Sequence, residues 1–129
     1  MGMEMKMLAW AIVLGLLQLV IAASPSTAQR GLAWNTGPRD GVPLALTGVA
    51  ARMDRALHNF LETFPFFVAA VLAVTLLQST NSGTALGAQL YFWGRVAYVP
   101  LYALGIPYAR TIAWTVSIVG LLKVLMALF

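Results

Sequence analysis

The sequence predicts an all-α integral membrane protein, a four-transmembrane-helix bundle forming a single membrane domain over residues 1–129. Three observations carry that prediction. Hydrophobic residues make up 60% of the chain and charged residues 9%, against roughly 25% charge in soluble domains. Mean hydropathy is +0.83, which leaves too little polar surface to face water. The apolar residues also fall in long runs, and about 20 such residues cross a hydrocarbon core of about 30 Å at about 1.5 Å per residue.

The first span is expected at about 5–23, where the apolar run from Met7 to Ala23 is broken only by Gln18 and stops at Ser24-Pro25-Ser26. A cleaved leader is the competing reading of this segment, because Lys6 precedes the run and Ser26-Thr27-Ala28 resembles a small-residue cleavage site. Topology argues against cleavage, which would leave Arg30 and Arg39 on the wrong side of the membrane. Residues 24–46 are rich in Pro, Gly, Ser and Thr, with Trp34-Asn35-Thr36-Gly37-Pro38 as a turn, and read as a cytoplasmic loop. A second span is expected over about 47–78. Arg52, Arg55, His58, Asn59 and Glu62 occupy its first turns, and Pro65 should bend it by releasing the Leu61 carbonyl. A short uncharged connection leads to a third span over about 85–104, with Arg95 near its middle and Pro100 in its second half. Gly83 and Gly87 there read as ordinary close packing. The fourth span, about 108–128, follows Gly105-Ile106-Pro107 and carries Arg110 in its first turn and Lys123, which can snorkel, near its end.

Basic residues set the orientation. Arg30, Arg39, Arg52, Arg55 and Arg110 flank the first and third connections, whereas the termini and the second connection hold only Lys6 and Lys123. The positive-inside rule then puts both termini on the non-cytoplasmic side. The charge, +4 overall, sits between the apolar runs rather than along a stripe, so no nucleic-acid partner is expected. Without cysteine, the chain has no disulfide or thiolate nucleophile of its own. A single histidine gives no basis for a metal site.

At about 100° per residue, Arg52, Arg55, Asn59 and Glu62 share one helix face, with His58 at its edge. Such groups within or beside a span are costly and face a partner or a watery cavity. One reading is mutual pairing of Arg55 with Glu62 through Asn59, gluing helices. The other is a ligand site, favoured by a surplus of guanidinium over carboxylate to which Arg95 and Arg110 add. Arg110 begins its helix, where the dipole disfavours a cation unless an anion lies near. A small anion with one cationic group for Glu62 fits this pattern. Tyr91 and Tyr98, seven residues apart, share a face on which a phenol could meet that ligand.

The run Arg55-Ala56-x-x-Asn59-x-x-Glu62-x-Phe64-Pro65 resembles the second-helix signature of the MAPEG family, membrane-associated proteins in eicosanoid and glutathione metabolism. Tyr91-Phe92-x-Gly94, Arg95-x-x-Tyr98 and Gly105-Ile106-Pro107-x-x-Arg110-Thr111 look like later helices of its bacterial branch, so the likeness covers about 47–120. Thr63 and Arg95 stand where some members carry tyrosine. The resemblance implies a homotrimer in the bilayer of a bacterial inner membrane, with glutathione as thiol co-substrate bound between neighbouring subunits. It implies that Arg30, Arg55, Asn59, Glu62, Tyr91 and Tyr98 hold glutathione, and that Arg110 is the catalytic arginine that favours thiolate over thiol. A free thiol has a pKa of about 8.5, and an adjacent fixed cation lowers it. The expected function is therefore a glutathione-dependent transferase or peroxidase acting on a lipophilic electrophile. A non-catalytic lipid-binding or scaffold protein on the same fold is the alternative.

Overall fold

A computed structural model of the chain describes residues 2–129. The architecture is all-helical, and the described residues form five helices: α1 (Met3–Arg30), α2 (Leu32–Thr36), α3 (Gly48–Leu76), α4 (Ser82–Ala103) and α5 (Pro107–Met126). Three of them, α1, α3 and α5, are long and apolar enough to cross a membrane. Helix α4 falls short by composition, since Gln89, Arg95 and its tyrosines dilute the apolar residues. It nevertheless packs against α1, α3 and α5.

The first helix extends beyond the apolar run, through Pro25 to Arg30, and α2 follows almost at once. Proline costs one intrahelical bond here without ending the helix. The extension is tied down instead by its polar side chains. Gln29 Nε2 donates to the Thr47 carbonyl and the Thr47 N–H donates back to Gln29 Oε1, both at 3.0 Å, which fastens the end of α1 to the start of α3. Asn35 Nδ2 donates to Thr27 Oγ1 at 3.0 Å, folding α2 onto α1. Within the segment read as a loop, only Gly31 and residues 37–46 lack helix. The expected turn at Trp34 lies in α2 up to Thr36.

Helix α3 runs through Pro65, as α4 does through Pro100. Asn81 caps α4 with a reciprocal pair: the Thr84 N–H donates to Asn81 Oδ1 at 2.9 Å and the Asn81 N–H donates to Thr84 Oγ1 at 2.8 Å. Helices α4 and α5 touch backbone to backbone, because Gly87, Gly94 and Gly120 present no side chain at the crossing. Gly87 thus serves packing within the chain. At the opposite end of α4, Arg52 donates from α3 to the Ala103 carbonyl at 3.0 Å, satisfying one of α4's free C-terminal acceptors with a cation suited to the dipole.

The core has two apolar halves. One gathers Leu8, Ala11, Phe67, Val71, Val74, Tyr91 and Val124. The other gathers Ala22, Met53, Ala56, Leu57, Tyr98 and Ala113. Arg95 lies between these levels on α4 and is 1% exposed. The outer surface is apolar in turn, with Trp10, Leu16, Val20, Phe66, Trp93, Ile112 and Met126 exposed. The arginines near the helix ends sit where α1, α2 and the start of α3 meet the end of α4 and the start of α5.

Candidate functional site

At this arginine-bearing end, α3, α4 and α5 diverge around a pocket of about 490 Å³ lined by Arg55, His58, Asn59, Glu62, Tyr98, Tyr102, Arg110, Thr111 and Trp114. The 3.6-residue repeat explains the α3 wall: residues 55, 58, 59 and 62 fall on consecutive turns of one face. On α4, Tyr98 and Tyr102 are four apart and pack edge to face, with ring centroids 5.5 Å apart. On α5, Arg110 and Trp114 stand in the same i, i+4 relation.

The arginines are held by aromatic and polar neighbours rather than by carboxylates. Arg55 Nε donates to the Tyr102 hydroxyl at 3.0 Å, and its guanidinium carbon lies 5.8 Å from that ring's centroid. The Arg110 guanidinium carbon lies 4.5 Å from the same centroid, so Tyr102 stands between two cations. The mutual pairing of Arg55 with Glu62 is not formed: among the described residues the one ion-pair contact is His58 with Asp54, 3.6 Å apart. His58 Nδ1 also approaches the Asp54 carbonyl at 2.7 Å, a group that only accepts, so this nitrogen carries the proton. Glu62 is exposed on the pocket wall. The pocket therefore offers guanidinium donors from two helices and one carboxylate, an arrangement suited to a ligand with more negative than positive charge.

Behind the wall lies Arg95. Its Nη1 donates to Asn59 Oδ1 at 2.9 Å, and its guanidinium carbon lies 4.2 Å from the Tyr98 centroid and 5.6 Å from that of Phe60. Its Nε and Nη2 have no hydrogen-bond partner among the described residues.

Of the residues expected from sequence to hold a ligand, Arg55, Asn59, Glu62, Tyr98 and Arg110 line this one pocket. Tyr91 does not. It is fully buried, stacked on Phe67 with centroids 4.0 Å apart, and its hydroxyl meets Thr63 Oγ1 at 3.0 Å. Although Tyr91 shares a helix face with Tyr98, two turns of about 5.4 Å each carry it too deep. Arg30 does not reach the pocket either. It lies in a second one, of about 240 Å³, with Trp34, Asn35, Arg39 and Asp54, and its Nε donates to the Leu44 carbonyl at 2.7 Å. Conversely, Tyr102, Thr111 and Trp114 line the site without having been singled out for it. Their signal was their spacing from Tyr98 and Arg110. His58, at the edge of the polar face of α3, also reaches the wall. Among the described residues no three His, Asp or Glu side chains gather as a metal-ligand set.

Comparison with curated proteins found no match. The family model described as MAPEG family, by contrast, matches residues 7–129, spanning α3, α4, α5 and nearly all of α1. With its three apolar membrane-length helices, this chain is an integral membrane protein, and it belongs to the MAPEG family.

Proposed function

We propose that the chain is a glutathione-dependent membrane transferase or peroxidase. Its family includes glutathione transferases and peroxidases alongside other members, which typically use glutathione. The observation that carries the reading is the charge pattern of the α3–α4–α5 pocket, with Arg55 and Arg110 opposed to the single carboxylate of Glu62. Glutathione has two carboxylates, one ammonium and a thiol. Arg55 and Asn59 would hold carboxylate or carbonyl oxygens, Glu62 the ammonium, and Tyr98 a polar atom of the backbone. Arg110 would face the sulfur. A fixed guanidinium there stabilises the thiolate against the thiol, and each unit by which it lowers the thiol pKa is worth about 1.4 kcal/mol. With its proton released to water, the thiolate then attacks a lipophilic electrophile arriving from the bilayer, forming a carbon–sulfur bond as the leaving group, halide in the case of an aryl halide, departs with its electron pair.

The same reading makes α4 a fourth span, because a helix packed among three membrane-length helices can carry polar groups that lipid would not tolerate. It orients the pocket to the cytoplasm and both termini outward, by the gathering of arginines at one end, in a bacterial inner membrane. The protomer would assemble as a homotrimer. The exposed face of α3 mixes Arg55, His58 and Glu62 with Leu61, Phe66 and Leu72, which neither water nor lipid suits alone. Arg30, which lies outside its own chain's pocket, would act on the ligand of a neighbouring copy.

The test is calorimetric titration with glutathione, followed by conjugation of a general aryl halide, on the purified protein and on Arg110→Met. Binding by both proteins with turnover only in the parent supports catalysis. Binding without turnover in either favours the lipid-binding or scaffold alternative, and absence of binding rejects the reading.

A further inference from the structure

Asn59 is the one pocket-lining side chain whose amide could face a ligand with either end, oxygen or nitrogen. The structure decides between them from behind the wall. Arg95, which does not itself line the pocket, places Nη1 2.9 Å from one of the two terminal atoms of the Asn59 amide. A guanidinium has donors and no acceptor, so the atom it meets must be the amide oxygen. The nitrogen, with its two N–H donors, makes no hydrogen bond among the described residues and is left for the pocket.

Arg95 has no way to relax out of this arrangement. It is 1% exposed, covered on one side by Tyr98 at 4.2 Å and approached on another by Phe60 at 5.6 Å. The ring of Tyr98 is itself part of the pocket wall. One buried cation thus backs two lining side chains without lining the pocket itself.

We infer that Arg95 is a positioning residue: by holding Asn59 Oδ1 from behind, it turns the amide nitrogen into the pocket and makes that point a donor selective for a carboxylate or carbonyl oxygen. The inference rests on the glutathione reading for the identity of the ligand and on the Arg95–Asn59 contact for its geometry. It also leaves Glu62 as the carboxylate that meets a ligand's ammonium, since Asn59 has no acceptor to offer.

Replacing Asn59 by aspartate gives opposite signs for the two possible orientations. In Asn59→Asp, one carboxylate oxygen accepts from Arg95 and the other faces the ligand where a donor stood. Glutathione affinity by calorimetry should fall at least tenfold. If the native amide presented oxygen to an ammonium instead, the same variant would bind as well as the parent or better, and that result overturns the inference. The contact itself is read without ligand from thermal midpoints in detergent micelles. Asn59→Asp should melt at or above the parent, because a buried guanidinium gains a carboxylate. Asn59→Leu and Arg95→Met should each melt lower, and the double variant no lower than the worse single. Arg95→Lys, which still donates, should bind glutathione more tightly than Arg95→Met. A midpoint of Asn59→Asp as low as that of Asn59→Leu, or additive losses in the double variant, removes the contact and with it the proposal. If the parent binds no glutathione at all, the functional reading fails and the ligand half of the inference falls with it, while the midpoints still decide the Arg95–Asn59 half.

Discussion

Alanine at Gly94 should loosen the bundle and disturb the pocket together. A Cβ at this position would lie 2.9 Å from the Ala113 carbonyl oxygen, 2.9 Å from the Ser117 nitrogen and 3.0 Å from Ser117 Cβ. That is about 0.5 Å inside ordinary contact, and two of the three atoms are α5 backbone that cannot rotate aside. Overpacking of this kind costs about 1–3 kcal/mol. Removing glycine from a helix interior returns up to about 1 kcal/mol, so a net loss of about 1 kcal/mol is expected. Gly87→Ala should be worse, about 2 kcal/mol, since its Cβ would come 2.6 Å from the Gly120 carbonyl oxygen and 2.9 Å from Lys123 Cβ. Gly15→Ala should be nearly neutral, because only the edge of the Phe60 ring stands close, at 3.0 Å, and a ring can turn. At Gly94 the simplest relief is a shift of α5 by about half an ångström, carrying Arg110, Thr111 and Trp114 with it. Displacement of a catalytic wall by about 1 Å can cost about a hundredfold in rate, so turnover should fall on the order of tenfold. Thermal unfolding in detergent micelles checks the stability order, and aryl-halide conjugation checks the function. A Gly94→Ala protein as stable as the parent, or a Gly15→Ala protein that is the weakest of the three, would refute the backbone contact between α4 and α5.

Substitutions at three further positions probe other parts of the molecule. Tyr102→Phe should lose the 3.0 Å bond from Arg55 yet keep the ring beside Arg110, so glutathione affinity should fall by about fivefold, equivalent to about 1 kcal/mol; Tyr102→Leu, which loses both, should bind more weakly still in the same titration. Asn81→Ala should remove the reciprocal cap of α4 and lower stability by about 1 kcal/mol, seen as a lower thermal midpoint with ligand affinity retained. Phe67→Ala should strip the stacked partner from Tyr91 in a fully buried site, costing about 3 kcal/mol, and a midpoint within a degree of the parent's would contradict that packing.

The parts of the fold that the sequence made legible are those where one physical rule dominates. Long apolar runs identify α1, α3 and α5, and helical periodicity brings Arg55, Asn59 and Glu62 to one face. Where two rules compete, the reading loses definition. Pro25 and its Ser/Thr neighbours look like a helix end, yet Gln29 and Asn35 find backbone and hydroxyl partners that keep the chain helical to Arg30. Helix α4 falls short of a span by hydropathy, a measure that takes no account of its packing against three neighbours. Tyr91 and Tyr98 share a face by periodicity, but periodicity says nothing of depth, and the pocket occupies only one end of that face. Arg95 was legible as surplus charge; its role behind Asn59 depends on a contact between residues 36 apart in sequence.

The measurement that bears most directly on the proposed function is the ultraviolet absorbance of thiolate, followed as pH is raised with glutathione bound to the purified protein and to Arg110→Met. The parent should show bound thiolate appearing well below the free-thiol pKa of about 8.5, and the variant should bind glutathione but form thiolate only near that value. Identical titrations in the two proteins, or no thiolate in the parent below the free-thiol range, would contradict the assignment of Arg110 and the chemistry built on it.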